Sequence, residues 1–325
     1  MLNGDSWKQP LFAILVFCQI MKRLTFPLIL ALVFMVISCT TKTKELSSEE
    51  KEKYVKSIDA WHQERLESLR SEEGWLNLAG LFWLEPGINT FGSSASADLQ
   101  FPEGSLPDLA GYFNLESRRV TVHLKSKAGI TVNGEEVREA EVFSMDSVKK
   151  IVMASGDYRW GIIKREDKIG IRLRSLNHPR LKAFQGIDRF PVDLRYRITA
   201  SFQVADTIRY IPITNVLGQT TQQLSPGTLV FNWEGQTQTL DVIDEGNGGD
   251  YFVILADQTT GKTTYSGGRF LYVPRPIGNG EITVDFNKTY NPPCVFSPFA
   301  TCPLPPKQNN LSFAVAAGEK DFHLD

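Results

Sequence analysis

Histidine is scarce in this chain, with only His62, His123, His178 and His323 spread over 325 residues, which argues against a histidine-rich zinc site. Cysteine is as rare: Cys18, Cys39, Cys294 and Cys302, with no histidine beside the last two. No cofactor or metal is therefore expected. The patterns G-x-S-x-G, H-E-x-x-H and G-x-G-x-x-G are missing from any suitable context. Gly261-Lys262-Thr263 ends like a phosphate-binding loop, but Ala256 stands where that loop needs glycine, and the surroundings read strand-turn-strand. Charge of either sign is not in excess. The formal net charge is -2, and -4 once residues 1–38 are set aside. That balance excludes binding to nucleic acid by counterion displacement, and it gives no basic face for an anionic membrane. With 42% hydrophobic and 22% charged residues, the chain has enough apolar material for one large or two small domains.

The first forty residues read as a targeting device. Met21-Lys22-Arg23 supplies a positive start, residues 24–37 an apolar run too short to span a bilayer comfortably, and Val36-Ile37-Ser38-Cys39 resembles a bacterial lipobox. The resemblance to bacterial lipoproteins implies lipidation at Cys39, a mature chain beginning there, and a membrane connection through the lipid. An uncleaved anchor is the alternative. A second apolar run before Met21 suggests that the true initiation codon is Met21. Thr40 is not acidic, so nothing retains the protein at the inner membrane. The expected address is the envelope of a Gram-negative bacterium, facing the periplasm from the outer membrane.

After a tether at 39–46, Ser47 and Glu50 form an S-x-x-E capping box, and Tyr54, Ile58, Trp61, Arg65 and Leu69 mark one face of a helix ending before Gly74. His62 beside that face reads as a packing or solvated residue, and His178 before Pro179 as a turn cap. From there the pattern has period 2, with strands expected at 119–124, 130–132, 150–153, 158–163, 169–173, 196–204, 208–213, 228–233, 239–243, 251–255 and 282–286. Asn133-Gly134, Glu166-Asp167, Glu234-Gly235 and residues 246–250 supply turns. One amphipathic helix followed by many short strands makes an all-β chain of sandwich or barrel type. Leu84-Glu-Pro-Gly, Phe91-Gly92, residues 98–101 and Val132-Asn133-Gly134 weakly resemble a forkhead-associated sandwich. Ser93 stands where that family reads phosphate with arginine, so the resemblance implies fold without phosphothreonine binding. It sets a boundary near Val148: 47–148 for helix and sandwich, 149–325 for a second β domain.

Residues 285–318 depart furthest from strand-and-turn composition, holding six of the 17 prolines and two of the four cysteines. Proline donates no backbone hydrogen bond, so the stretch is an irregular loop, and loops of this length are usually functional or specially constrained. Its Tyr290-Asn-Pro-Pro-Cys294 and Thr301-Cys-Pro-Leu-Pro-Pro306, together with residues 74–93 and 263–271, resemble the DUF1684 family of bacterial proteins of unknown function, over roughly residues 60–320. The resemblance carries no activity to transfer.

In an exported protein, Cys294 and Cys302 around a short Pro-rich loop most simply form a disulfide; a reactive thiol or half a metal site is the alternative. Asp285, Asn287, Tyr290 and Asn291 lie where a strand runs into the loop, and Arg269 follows two glycines. Arg269 either pairs with Asp285 or grips an anion, with Asn287 and Asn291 beside it. Two functions compete: a non-catalytic binding or structural module for a small molecule or envelope component, and a hydrolase or lyase with Asp285 as general acid or base and Arg269 and Tyr290 assisting.

Overall fold

The computed structural model describes residues 46–147, 149–278 and 280–323. Met21, the leader, Cys39 and Val148 lie outside the described residues. Helix α1 spans Ser48–Arg70 and starts on the expected box: the Ser47 amide donates to Glu50 Oε2 at 2.7 Å, and the Glu50 amide donates to Ser47 Oγ at 3.2 Å. Ile58 and Leu69 on its apolar face are buried. The helix precedes several sheets, nearly all antiparallel.

The first lobe holds β1 (Leu78–Trp83), β2 (Gly87–Gly92), β3 (Leu99–Gln100), β4 (Gly111–Glu116), β5 (Arg119–Leu124), β6 (Thr131–Val132), β7 (Glu135–Glu136), β8 (Glu139–Ser144), β9 (Met153–Ser155), β10 (Tyr158–Arg165) and β11 (Lys168–Ser175). They form a six-stranded sheet, β1-β11-β10-β9-β6-β7, and a five-stranded sheet, β3-β2-β4-β5-β8. One core joins both, with Phe91 and Phe113 from one sheet and Trp160 and Ile171 from the other. Strands from either side of Val148 therefore share a sheet, and the sandwich runs past the expected boundary because β9 to β11 complete the sheet that β1 begins. Asn133 and Gly134 turn the β6–β7 hairpin with φ of 49° and 88°, as Asn-Gly turns do.

A short helix, α2 (Pro179–Ala183), follows, capped by His178, whose Nδ1 accepts from the Arg180 amide at 3.2 Å. The second lobe contains β12 (Arg197–Val204), β13 (Tyr210–Thr214), β14 (Thr220–Leu224), β15 (Gly227–Trp233), β16 (Gln236–Asp241), β17 (Tyr251–Leu255), β18 (Arg269–Val273) and β19 (Glu281–Asp285). Its sheet runs β16-β15-β12-β19, with β13–β14 and β17–β18 as separate hairpins. Phe202, Leu229, Val253, Leu271, Val284 and Phe313 share its core.

The Pro-rich loop packs along this lobe through three short turns, Phe286–Lys288, Pro293–Val295 and Lys307–Asn309. Prolines leave backbone groups to be satisfied by side chains, and the buried Asn309 does this. Its Oδ1 accepts from the Asp241 amide at 2.7 Å, and its Nδ2 donates to the carbonyls of Asp241 and Ile254, both at 2.9 Å. The loop thereby ties the end of β16 to the end of β17.

Candidate functional site

The polar residues expected to make a pocket mostly hold the loop together instead. Arg269 opens β18 and is wholly buried, with Nη2 2.9 Å from Asp257 Oδ2. Nη2 also donates to the Val315 carbonyl at 2.8 Å, and Nη1 to the carbonyls of Ala317 and Glu319. Its acid is Asp257, not Asp285. Burial pulls the Arg269 pKa down, and Asp257 opposes that pull. Gly268 permits the arrangement: its φ is +80°, and a Cβ there would lie 2.3 Å from Pro305 Cγ.

Asp285 ends β19, and its Oδ1 accepts from the amide of Asn287 at 3.1 Å and from its Nδ2 at 3.2 Å, capping the turn that follows. Asn287 in turn clamps Asp193, accepting from its amide at 3.0 Å and donating to its carbonyl at 2.9 Å. Asn291 is buried: its amide donates to Glu319 Oε2 at 2.6 Å and its Nδ2 to the Lys320 carbonyl at 2.7 Å. Of the five, Tyr290 lines a cavity.

That cavity, of about 330 Å³, has two unlike walls. Arginines come from α1 and the first lobe: Arg65, Arg165 at the end of β10, and Arg172 in β11. Aromatic rings come from the second lobe: Phe252, Phe270, Tyr272 and Tyr290. Trp75, Glu245, and Pro293 with residues 300–303 of the Pro/Cys loop complete the lining.

The three arginines differ in how they are satisfied. Arg65 has its guanidinium carbon 4.7 Å from the Tyr290 ring centre, its Nε 3.5 Å from Glu319 Oε1, and a bond from Nη2 to the Asn291 carbonyl at 3.0 Å. Burial raises the Glu319 pKa against the opposing pull of Arg65. Arg165 donates to Thr301 Oγ1 at 3.3 Å and to the Lys164 carbonyl at 2.8 Å. Arg172 lies over Trp75 at 5.1 Å, and its Nε and Nη2 are buried without a hydrogen-bond partner. Desolvation, then the neighbouring charges of Arg165 and Arg174, bring the Arg172 pKa down to about 10. Among the described residues no carboxylate lies within ion-pair distance of Arg165 or Arg172.

The Tyr272 hydroxyl donates to Glu245 Oε2 at 2.9 Å, and the Tyr290 ring lies near parallel to that of Tyr272 with centroids 6.3 Å apart. Burial, reinforced by Glu245, pushes Tyr272 up to about 12, and burial pushes Tyr290 well above the usual phenol range. A second cavity, of about 380 Å³, lies against the sandwich and shares Arg172 with the first; Lys150 there pairs with Glu73, and Arg174 donates to Asn77 Oδ1 at 2.7 Å.

Cys294 and Cys302 are brought together as free thiols, not as the expected disulfide, with Cys302 on the cavity lining. Each sulfur accepts the other residue's amide, Cys294 N–H to Cys302 Sγ at 3.0 Å and Cys302 N–H to Cys294 Sγ at 3.2 Å. That reciprocal bonding closes the loop without a covalent bond. Burial pushes the Cys302 thiol up, and the hydrogen bond from Cys302 pulls Cys294 down. No group of three or more His, Cys, Asp or Glu among the described residues is placed to hold a metal ion.

Arg165, Arg172 and Glu245 are not among the sequence-predicted site residues, and Arg65 is predicted only as part of a helix face. Two of these arginines carry a sequence signal. Arg65 stands in an otherwise apolar helix face, and Arg172 alternates with Arg174 in a β-strand, putting two cations on one face.

The family described as "Protein of unknown function (DUF1684)" matches residues 182–320. Residues 74–93 lie outside that match. Among solved structures the chain is similar to an uncharacterized protein of Haloarcula marismortui, determined in solution by NMR, at 34% identity over 43% of this chain and 78% of that one, with a TM-score of 0.36. No curated protein matches. Through residues 182–320 the chain belongs to the DUF1684 family, whose function is unknown.

Proposed function

We propose that this protein is a non-catalytic binding module whose two-walled cavity takes a small anionic molecule. Arg172 carries the reading. A guanidinium in a low-dielectric site, crowded by two other arginines and facing no acid, is stabilised by an anion able to accept from it. Arg165, also without a carboxylate, is the second cation on offer. The cavity volume falls at the small end of the range for ligand sites, roughly 300–1,000 Å³.

Thermal unfolding of the full chain tests this. Inorganic phosphate or sulfate raises the Tm of the wild type with concentration, because a ligand that binds only the folded state stabilises it, and Arg172→Met removes the response. Equal responses in both proteins would sink the proposal.

The lipobox supports lipid anchoring at Cys39 and a place in a Gram-negative envelope, facing the periplasm. Labelled palmitate entering the wild type but not Cys39→Ala is the expected outcome. The forkhead-associated likeness adds no phosphopeptide site to the proposal, since Ser93 is engaged with the Leu106 carbonyl at 2.8 Å. A hydrolase or lyase centred on Asp285 is less well supported, because that carboxylate caps the Asn287 turn. What favours chemistry is the Tyr272–Glu245 hydrogen bond with the buried Tyr290 phenol beside it, and loss of turnover in Tyr290→Phe would be its mark.

A further inference from the structure

We infer that the ligand class of this cavity is a small aromatic acid with one acidic group, an arenecarboxylate or aryl phosphate, held across the two lobes. The inference rests on the anion reading above and adds what the rest of the molecule must look like. The two walls supply different chemistry. The first lobe offers Arg165 and Arg172, whose planar forks match the paired oxygens of a carboxylate or phosphate.

The second lobe contributes four aromatic rings to the lining, and these meet at varied angles. Tyr272 and Tyr290 are near parallel, 15° apart with centroids at 6.3 Å, while Phe270 stands edge-on to Tyr290 at 90° and 5.9 Å. Phe252 stands edge-on to Phe270 at 80° and 4.8 Å. Such a wall presents ring faces and ring edges together. An aliphatic body would gain only from leaving water there, whereas an aromatic body also gains from complementary quadrupoles, by about 0.5–1.5 kcal/mol per pair.

Two further features narrow the class. A cavity of about 330 Å³ suits one substituted ring better than a fused system, and a rigid ring loses little conformational freedom on entry. Glu245 sits on the lining with its carboxylate on the Tyr272 hydroxyl. It repels a second acidic group at that end and accepts from a hydroxyl or amine. The ligand is therefore acidic at one end only.

Calorimetric titration of the full chain with benzoate, cyclohexanecarboxylate, phenyl phosphate and inorganic phosphate tests this. Benzoate is expected to bind about fivefold more tightly than cyclohexanecarboxylate, and phenyl phosphate to exceed inorganic phosphate by at least as much. Arg172→Met weakens all four. Tyr272→Leu, at a side chain already 42% exposed, is expected to fold normally and to remove the ring advantage while leaving inorganic phosphate unchanged. If benzoate and cyclohexanecarboxylate bind equally and Arg172→Met weakens both, the aromatic assignment is overturned and the anion reading stands. If none of the four binds, both are overturned.

Discussion

Arg269 and Asp257 meet inside the second lobe as a closed ion pair, Nη2 to Oδ2 at 2.9 Å, with both side chains buried. Asp257 is saturated on its other side by the Thr259 and Val315 amides at 2.8 and 3.0 Å. Removing one partner strands a buried charge. Arg269→Met is expected to lower stability by about 3–5 kcal/mol in urea unfolding, and replacing both by apolar residues of similar volume to cost much less. Equal losses for the single and double variants would show that the pair acts only through packing.

Gly318 has φ of +72°, and a Cβ there would stand 2.1 Å from Thr289 Oγ1 and 2.4 Å from its carbonyl oxygen. Gly318→Ala therefore adds a collision to the left-handed penalty of about 1–2 kcal/mol. Gly134, at +88° with open space around it, isolates the penalty alone. Unfolding midpoints for the two alanine variants are expected to separate clearly, with Gly318→Ala the lower.

Asp244 is held by Arg275 at 2.6 and 2.8 Å and accepts from the Gly246 amide, which brings its pKa from 3.8 down to about 2. The folded state thus favours the charged carboxylate more than the unfolded chain does. Its contribution is complete above about pH 4 and is lost as pH falls towards 2. Midpoints measured across that window should fall less steeply in Arg275→Met than in the wild type.

The thiols of Cys294 and Cys302 face each other through reciprocal amide bonds. A disulfide-containing oxidant is expected to convert them to a bond, the protein becoming two hydrogens lighter by mass spectrometry while the reagent is reduced. Closing so short a loop adds about 2.5 kcal/mol in the chain-entropy account. Retention of both thiols after treatment with the oxidant would contradict this.

Local features of the fold were legible because they depend on neighbours in sequence. The Ser47–Glu50 box, the period-2 strands, the Asn133-Gly134 turn and the His178 cap each follow from a few adjacent residues. The site was legible only in Tyr290. Asp285, Asn287 and Asn291 look like a site because loops rich in proline collect polar residues, but such residues serve backbone groups, some of them far along the chain, as Asn287 does with Asp193. Alternation says that Arg172 shares a strand face with Arg174. It says nothing of Trp75 below it or of the ring wall opposite, which are brought close by tertiary packing.

The two-walled cavity also has an evolutionary consequence. Arg65, Trp75, Arg165 and Arg172 all precede residue 182, while Phe252, Phe270, Tyr272 and Tyr290 fall inside the stretch that defines the family. A homologue built from that stretch alone would inherit an aromatic shelf with no cations over it. Under the proposed anion reading, different residues ahead of that stretch would give the same shelf a different preference in charge, with no change in the family's own signature.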